Sequence, residues 1–115
     1  MPEVAVARFH HVPSSESKVV EMLPGVFRRT LGWGDRMLLV EITLREGALV
    51  PPHSHPHEQI GYLIRGQLEF TIDAEKTVVA SGDGYTIPGG VTHSAVALVD
   101  SVAVEVFSPV REEYK

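Results

Sequence analysis

Apolar and polar residues alternate along most of this chain at the two-residue period of a β-strand. Residues 36–44 place Leu38, Val40, Ile42 and Leu44 on one face. Leu68, Phe70 and Ile72 alternate with Gln67, Glu69 and Thr71, which predicts one buried and one wet face. A strand at 26–31 forms a hairpin with 36–44 across Gly32-Trp33-Gly34-Asp35. Strands at 60–64 and 68–72 hinge at Arg65-Gly66-Gln67, and a short strand at 76–80 ends at Ser81-Gly82-Asp83-Gly84. Residues 92–99 and 102–107 read as a last hairpin around Asp100-Ser101. Residues 1–21 read as an N-terminal arm, with a short edge strand at 4–7 and a loop at Pro13-Ser14-Ser15-Glu16-Ser17. No segment carries a 3.6-residue period. Many short strands with turn signals between them predict an all-β barrel or sandwich.

The chain has 115 residues, of which 43% are apolar, enough for one domain with a packed core. A domain this small buries a modest share of its surface, so a homodimer is expected, with the strand at 4–7 pairing to a neighbour's sheet edge. The net charge of -5 and the lack of a Lys/Arg stripe speak against nucleic-acid binding. The absence of cysteine excludes disulfides, thiolate zinc sites and thiol catalysis. No apolar run has the length of a secretory signal or a membrane span, so the expected location is cytoplasmic, away from membranes.

The chemistry concentrates in Gly47 to Gly66, GALVPPHSHPHEQIGYLIRG. Pro51-Pro52 keeps the approach extended. On an extended strand His53 and His55 point to one face, and two imidazoles with a nearby amide or carboxylate can converge on one divalent metal. The alternative is a polar loop of solvated histidines. His10 and His11 are adjacent, face opposite ways on a strand, and are read as non-ligands. Near the end of the chain Glu105 and Phe107 share one strand face, and Val104 and Val106 form the other, which reads as apolar core. Past Pro109, Arg111 either curls over the mouth of the barrel to bind a carboxylate bidentately or is a solvated surface arginine.

Two spacings carry a resemblance. Gly47-x5-His53-x-His55-x3-Gln59-x6-Gly66 and Gly82-x5-Pro88-x-Gly90-x2-His93 resemble the paired motifs of the cupin superfamily. The departures are Gln59, where glutamate is usual, and Ala97, where asparagine is usual. Fifteen residues lie between Gly66 and Gly82, a compact spacing. The resemblance covers about residues 24–111. It implies a single jelly-roll (double-stranded β-helix) cupin barrel over 22–115, with one divalent transition metal (Zn, Ni, Mn or Fe) held by His53, His55, Gln59 and His93. Glu58 is the rival to Gln59, but its spacing from His55 and its strand parity are wrong. His57 either orients a ligand or is a solvated neighbour. With three imidazoles and an amide, a divalent ion would keep its full charge, which favours isomerase, lyase-like or hydrolytic work over oxygenation.

HSHPHEQ together with the ending E-x-F-S-P-x-R-E is similar to the KdgF-type pectin-degradation cupins. That resemblance implies opening of 4,5-unsaturated monouronates, from pectin or alginate, to the linear 5-keto-4-deoxyuronate. It implies Glu105 as general acid/base, Phe107 packed on the sugar ring and Arg111 on the substrate carboxylate. The family carries aspartate where this chain has Glu105, so the acid sits on an arm one methylene longer. Two other readings are a metal-dependent oxygenase or isomerase on another small polar substrate, and a non-catalytic sugar- or small-molecule-binding cupin.

Overall fold

The computed structural model describes residues 9–115. Among them are ten strands: β1 (Val19–Leu23), β2 (Val26–Trp33), β3 (Leu38–Leu44), β4 (Leu49–His53), β5 (Glu58–Arg65), β6 (Gln67–Ile72), β7 (Glu75–Ala80), β8 (Gly84–Ile87), β9 (His93–Ala97) and β10 (Ser101–Ser108). Single 3-10 turns cover Ser14–Glu16 and Glu112–Tyr114. No helix is long and apolar enough to cross a membrane among these residues.

The all-β expectation holds. One sheet has six strands in the order β1-β2-β3-β10-β5-β8, and the other has four in the order β4-β9-β6-β7. Every pairing is antiparallel. The sheets close face to face as a jelly roll around one core. Leu38, Val40, Ile42 and Leu44 point inward from β3, as their alternation predicts, and share the core with Leu68, Phe70, Ala95 and Ala97 of the smaller sheet. The chain passes from the larger sheet to the smaller at Gly66, which has φ +106 and lies so close to Ser101 that a Cβ there would sit 2.6 Å from the serine Cα. Only glycine fits both demands.

The structure departs from the sequence reading in four places. Residues 92–99 and 102–107 do not form a hairpin. Strand β9 has β4 and β6 on its two edges, and β10 has β3 and β5 on its own. Neither keeps an edge for the other, and residues 98–100 cross between the sheets. The faces of β10 are also reversed: Ala103, Glu105 and Phe107 are buried inside the barrel, while Val104 and Val106 are half-buried on the outer face. Strand β2 continues through Trp33. Val19–Leu23, read as part of the arm, is a strand paired to β2. The edge strand expected at 4–7 lies outside the described residues.

Candidate functional site

Three imidazoles meet at one end of the barrel. His53 ends β4 and faces His93, the first residue of β9, in the ladder. Pro51 and Pro52 lie where that ladder is irregular, between Val50 and His53, a place where a missing N–H costs little. His55 comes from the loop after β4 rather than from the strand itself. The ring centroids of His53 and His93 are 4.2 Å apart, those of His55 and His93 5.0 Å, and those of His53 and His55 5.5 Å. Their ligand nitrogens all lie within 4.8 Å of one another.

Each ring is oriented by a backbone carbonyl. Nδ1–H donates from His53 to Pro51 (2.9 Å), from His93 to Val91 (2.9 Å) and from His55 to His57 (3.1 Å). A carbonyl can only accept, so each bond fixes the proton on Nδ1 and leaves Nε2 as a lone-pair donor. Burial, aided by the Arg111 guanidinium and the other two rings, lowers the His55 pKa to about 4. Burial lowers that of His93 as well. Both rings therefore stay neutral near pH 7, the state a metal requires.

Gln59, on β5, is buried and lines one cavity with His53 and His93, while Glu58 is exposed. The Gln59 side chain is a hydrogen-bond donor to Glu105. Its Oε1 is buried with no partner, and so is Nε2 of His55. An orphaned carbonyl oxygen and an orphaned imidazole nitrogen, beside two more imidazoles, are the pattern of a site completed by a cation. The His53, His55 and His93 triad fits a single metal ion.

Next to the triad lies a small cavity, about 70 Å³, lined among others by His53, Gln59, His93, Glu105, Phe107 and Arg111. It shares His53, Arg111 and Tyr114 with a wider recess of about 290 Å³ bounded by Met22, Leu23, Val50, Pro51 and Pro52. The inner cavity alone is too small for a sugar ring, and the two together form a mouth and a floor. Glu105 is the buried acid on that floor. Burial raises its pKa, opposed by hydrogen bonds from the Tyr85 hydroxyl and Gln59 and by the charge of Arg111. Its carboxyl thus keeps its proton to higher pH than an ordinary glutamate.

Arg111 is held at the mouth. Its Nε donates to Glu113 at 2.8 Å, and the guanidinium lies 4.1 Å from the Tyr114 ring centroid and 5.0 Å from that of Phe107. Tyr114 is covered on another side by Arg28, at 4.4 Å. The Thr30 hydroxyl donates to the Tyr114 carbonyl and ties this segment to β2.

His53, His55, Gln59, His93, Glu105, Phe107 and Arg111 are thus brought to one end of the barrel. His10 and His11 are exposed and stand outside the triad. The His57 carbonyl, rather than its ring, orients His55. Sequence reasoning missed Tyr85, Tyr114 and Met22. For Tyr85 a signal existed: Gly61 interrupts an otherwise bulky strand, and an interior strand glycine marks a close approach by another group.

The Cupin_2 family model, a cupin domain, matches residues 40–108. The pectin degradation protein KdgF of Dickeya dadantii (strain 3937) is 33% identical over 96 residues, covering 82% of this chain and 87% of that protein. The structure of KdgF from Halomonas sp. superposes with a TM-score of 0.85 at 30% identity, covering 92% of this chain and 98% of that one. An RmlC-like cupin from Shewanella frigidimarina NCIMB 400 gives a TM-score of 0.86 at 27% identity, over 95% and 98% of the two chains.

Proposed function

This chain belongs to the Cupin_2 cupin-domain family, and from that premise we propose that it is an enzyme of pectin breakdown that opens 4,5-unsaturated monouronates to the linear 5-keto-4-deoxyuronate. The observation that carries this reading is a buried acid, Glu105, lining the same cavity as His53, His93 and Arg111.

His53, His55, His93 and Gln59 would hold one divalent transition metal, which when bound supplies Lewis acidity toward substrate oxygens. The protein's own groups account for the rest. Arg111 receives the substrate carboxylate with the N–H groups not given to Glu113. Phe107 forms the apolar wall beside the sugar ring. Ring opening breaks the C1–O5 bond as the C1 hydroxyl gives up its proton and becomes the aldehyde. The freed C5 enol takes a proton at C4 and becomes the ketone. Substrate and product are isomers, so one group that gives and regains a proton suffices, and Glu105 is that group.

The test uses metal-reconstituted protein with 4,5-unsaturated galacturonate, following loss of enol-ether absorbance against the spontaneous rate. The wild type is expected to accelerate the loss, and Glu105→Gln to reduce kcat by about 10²- to 10⁴-fold with metal content intact. Undiminished turnover in that variant removes Glu105 from the mechanism. No acceleration by metal-loaded wild type discards the substrate, and oxygen uptake with another small molecule would move the protein to the oxygenases.

A homodimer belongs to the same proposal. Its support is an apolar row on the outer face of the larger sheet, where Val106 is paired with both Leu39 and Ile60, and Val104 with Tyr62. Light scattering on the full chain decides it: a monomeric mass withdraws the dimer, and a dimeric mass that Tyr62→Glu halves assigns it to this face.

A further inference from the structure

Glu105, Gly61 and Tyr85 form one row across three neighbouring strands. Glu105 is the ladder partner of Gly61 between β10 and β5, and Gly61 is the partner of Tyr85 between β5 and β8. Residues directly opposite one another in a sheet project from the same face, so all three address the barrel interior. Two strand spacings, roughly 10 Å, separate the outer members of such a row, too far for an ordinary side-chain pair with a third side chain between them.

Gly61 removes that obstacle. A Cβ at this position would lie 2.5 Å from the Tyr85 hydroxyl oxygen, inside any permitted contact. The tyrosine ring therefore lies over the middle strand in the space a side chain would have filled. Phe70 of the opposite sheet covers it, with ring centroids 4.7 Å apart. From this seat the hydroxyl donates to Glu105 Oε2 at 2.7 Å. The hydroxyl makes one hydrogen bond, and that bond goes to the acid.

We propose that Tyr85, seated on Gly61, is a positioning residue that fixes the rotamer of Glu105 for proton transfer. The inference rests on the reading of Glu105 as the proton-transfer group. A glutamate has one more rotatable bond than an aspartate, and in a cavity this small its carboxyl has alternative directions to point. Tyr85 takes one carboxyl oxygen and Gln59 gives the carboxyl a second donor, so the longer arm is tethered at its tip. Misplacement of a reacting group by 1 Å costs roughly 10²-fold in rate, so a tether of this kind acts on turnover rather than on binding.

The experiment is Tyr85→Phe in the metal-loaded full chain. The ring, its contact with Phe70 and its cover over Gly61 all remain, and one oxygen is lost. The expected result is a fall in kcat of about 10- to 100-fold with KM and metal content unchanged, and no further fall when Tyr85→Phe is added to Glu105→Gln. Wild-type kcat in Tyr85→Phe overturns the proposal. So does an equal loss in the Glu105→Gln background, because Tyr85 would then act without Glu105. A crystal structure of Tyr85→Phe gives a readout independent of substrate: Glu105 is expected in more than one rotamer, and a single unchanged rotamer overturns the tether. If the wild type itself leaves the unsaturated uronate untouched, the proposed function fails, and the rotamer still decides the role of Tyr85.

Discussion

His53 stands opposite His93 in the β4–β9 ladder, and each ring gives its Nδ1 proton to the carbonyl two residues before it, that of Pro51 or Val91. The two are a matched pair with the same tautomer, presented from adjacent strands by the same local device. Replacing His93 with alanine removes a donor nitrogen that nothing nearby supplies. The metal affinity of His93→Ala should fall by more than the ~10- to 100-fold cost of losing an outer-shell partner. Elemental analysis after dialysis against a competing chelator measures this, and a variant that still carries one metal per chain contradicts the ligand set.

Gln59 matters twice, as an orphaned oxygen toward the triad and as a donor toward Glu105. Gln59→Glu keeps an oxygen for a metal but removes the donor and sets a second carboxylate beside the first. Both changes disfavour the charged form of Glu105, so its pKa should rise further. The expected outcome is retained metal, lower kcat, and a Glu105 limb of the kcat–pH profile displaced to higher pH. A limb that stays in place would show that the two side chains are not coupled.

Arg111 sits over Phe107 and Tyr114 with Glu113 on its Nε. If its remaining N–H groups receive the substrate carboxylate, Arg111→Met should raise KM by on the order of 10- to 100-fold, the worth of a charged hydrogen bond. The matching control is the methyl ester of the substrate. Wild type should discriminate strongly between acid and ester, and Arg111→Met weakly. Equal discrimination by both proteins would place the carboxylate elsewhere.

The triad should also make the metal-free protein acid-sensitive. His55 faces Arg111, His93 and His53, and its folded-state pKa is about 4, burial being the largest cause, against an ordinary 6.5. As pH falls through 6.5 the unfolded chain takes up a proton that the folded chain refuses until about 4. Stability from this residue is therefore complete above the unfolded value and lost on the way down to the folded one. His93, lowered by burial, acts with the same sign. Glu105 acts with the opposite sign, because its raised pKa makes its contribution disappear as pH rises. Comparison with His55→Gln isolates the first contribution. Between pH 7 and pH 5 the Tm of chelator-treated wild type should drop more than that of the variant, and parallel drops would remove His55 from the account.

What the sequence made legible followed from local rules. The inward face of β3 was readable because Leu38 to Leu44 alternate without interruption. Gln59 is buried and Glu58 exposed on β5, but parity with His55 could not foretell it, because His55 lies in the loop after β4. The reversed face of β10 was not readable either, since Val104 and Val106 look more like core than Glu105 does. Burying the acid carries a desolvation penalty that the donors from Tyr85 and Gln59 and the charge of Arg111 offset, and all three lie outside β10. The false hairpin at the end of the chain has a similar origin: adjacency along the sequence says nothing about which edges β4, β6, β3 and β5 have already taken. Tyr85 was missed because its meaning depends on Gly61, a residue with no side chain to notice.

The two sheets divide the candidate site between them. Strands β4 and β9 of the smaller sheet carry His53 and His93, and strands β5, β8 and β10 of the larger carry Gln59, Tyr85 and Glu105. The gap between Glu105 and the imidazoles is therefore set by the thickness of the apolar filling, as jaws are set by a spacer. A side chain such as Leu63, fully buried in that filling and far from any chemistry in its own composition, becomes part of the gauge. Thinning it to alanine should degrade turnover before it abolishes folding, so that a random screen for inactive variants would return core positions alongside the residues that touch substrate.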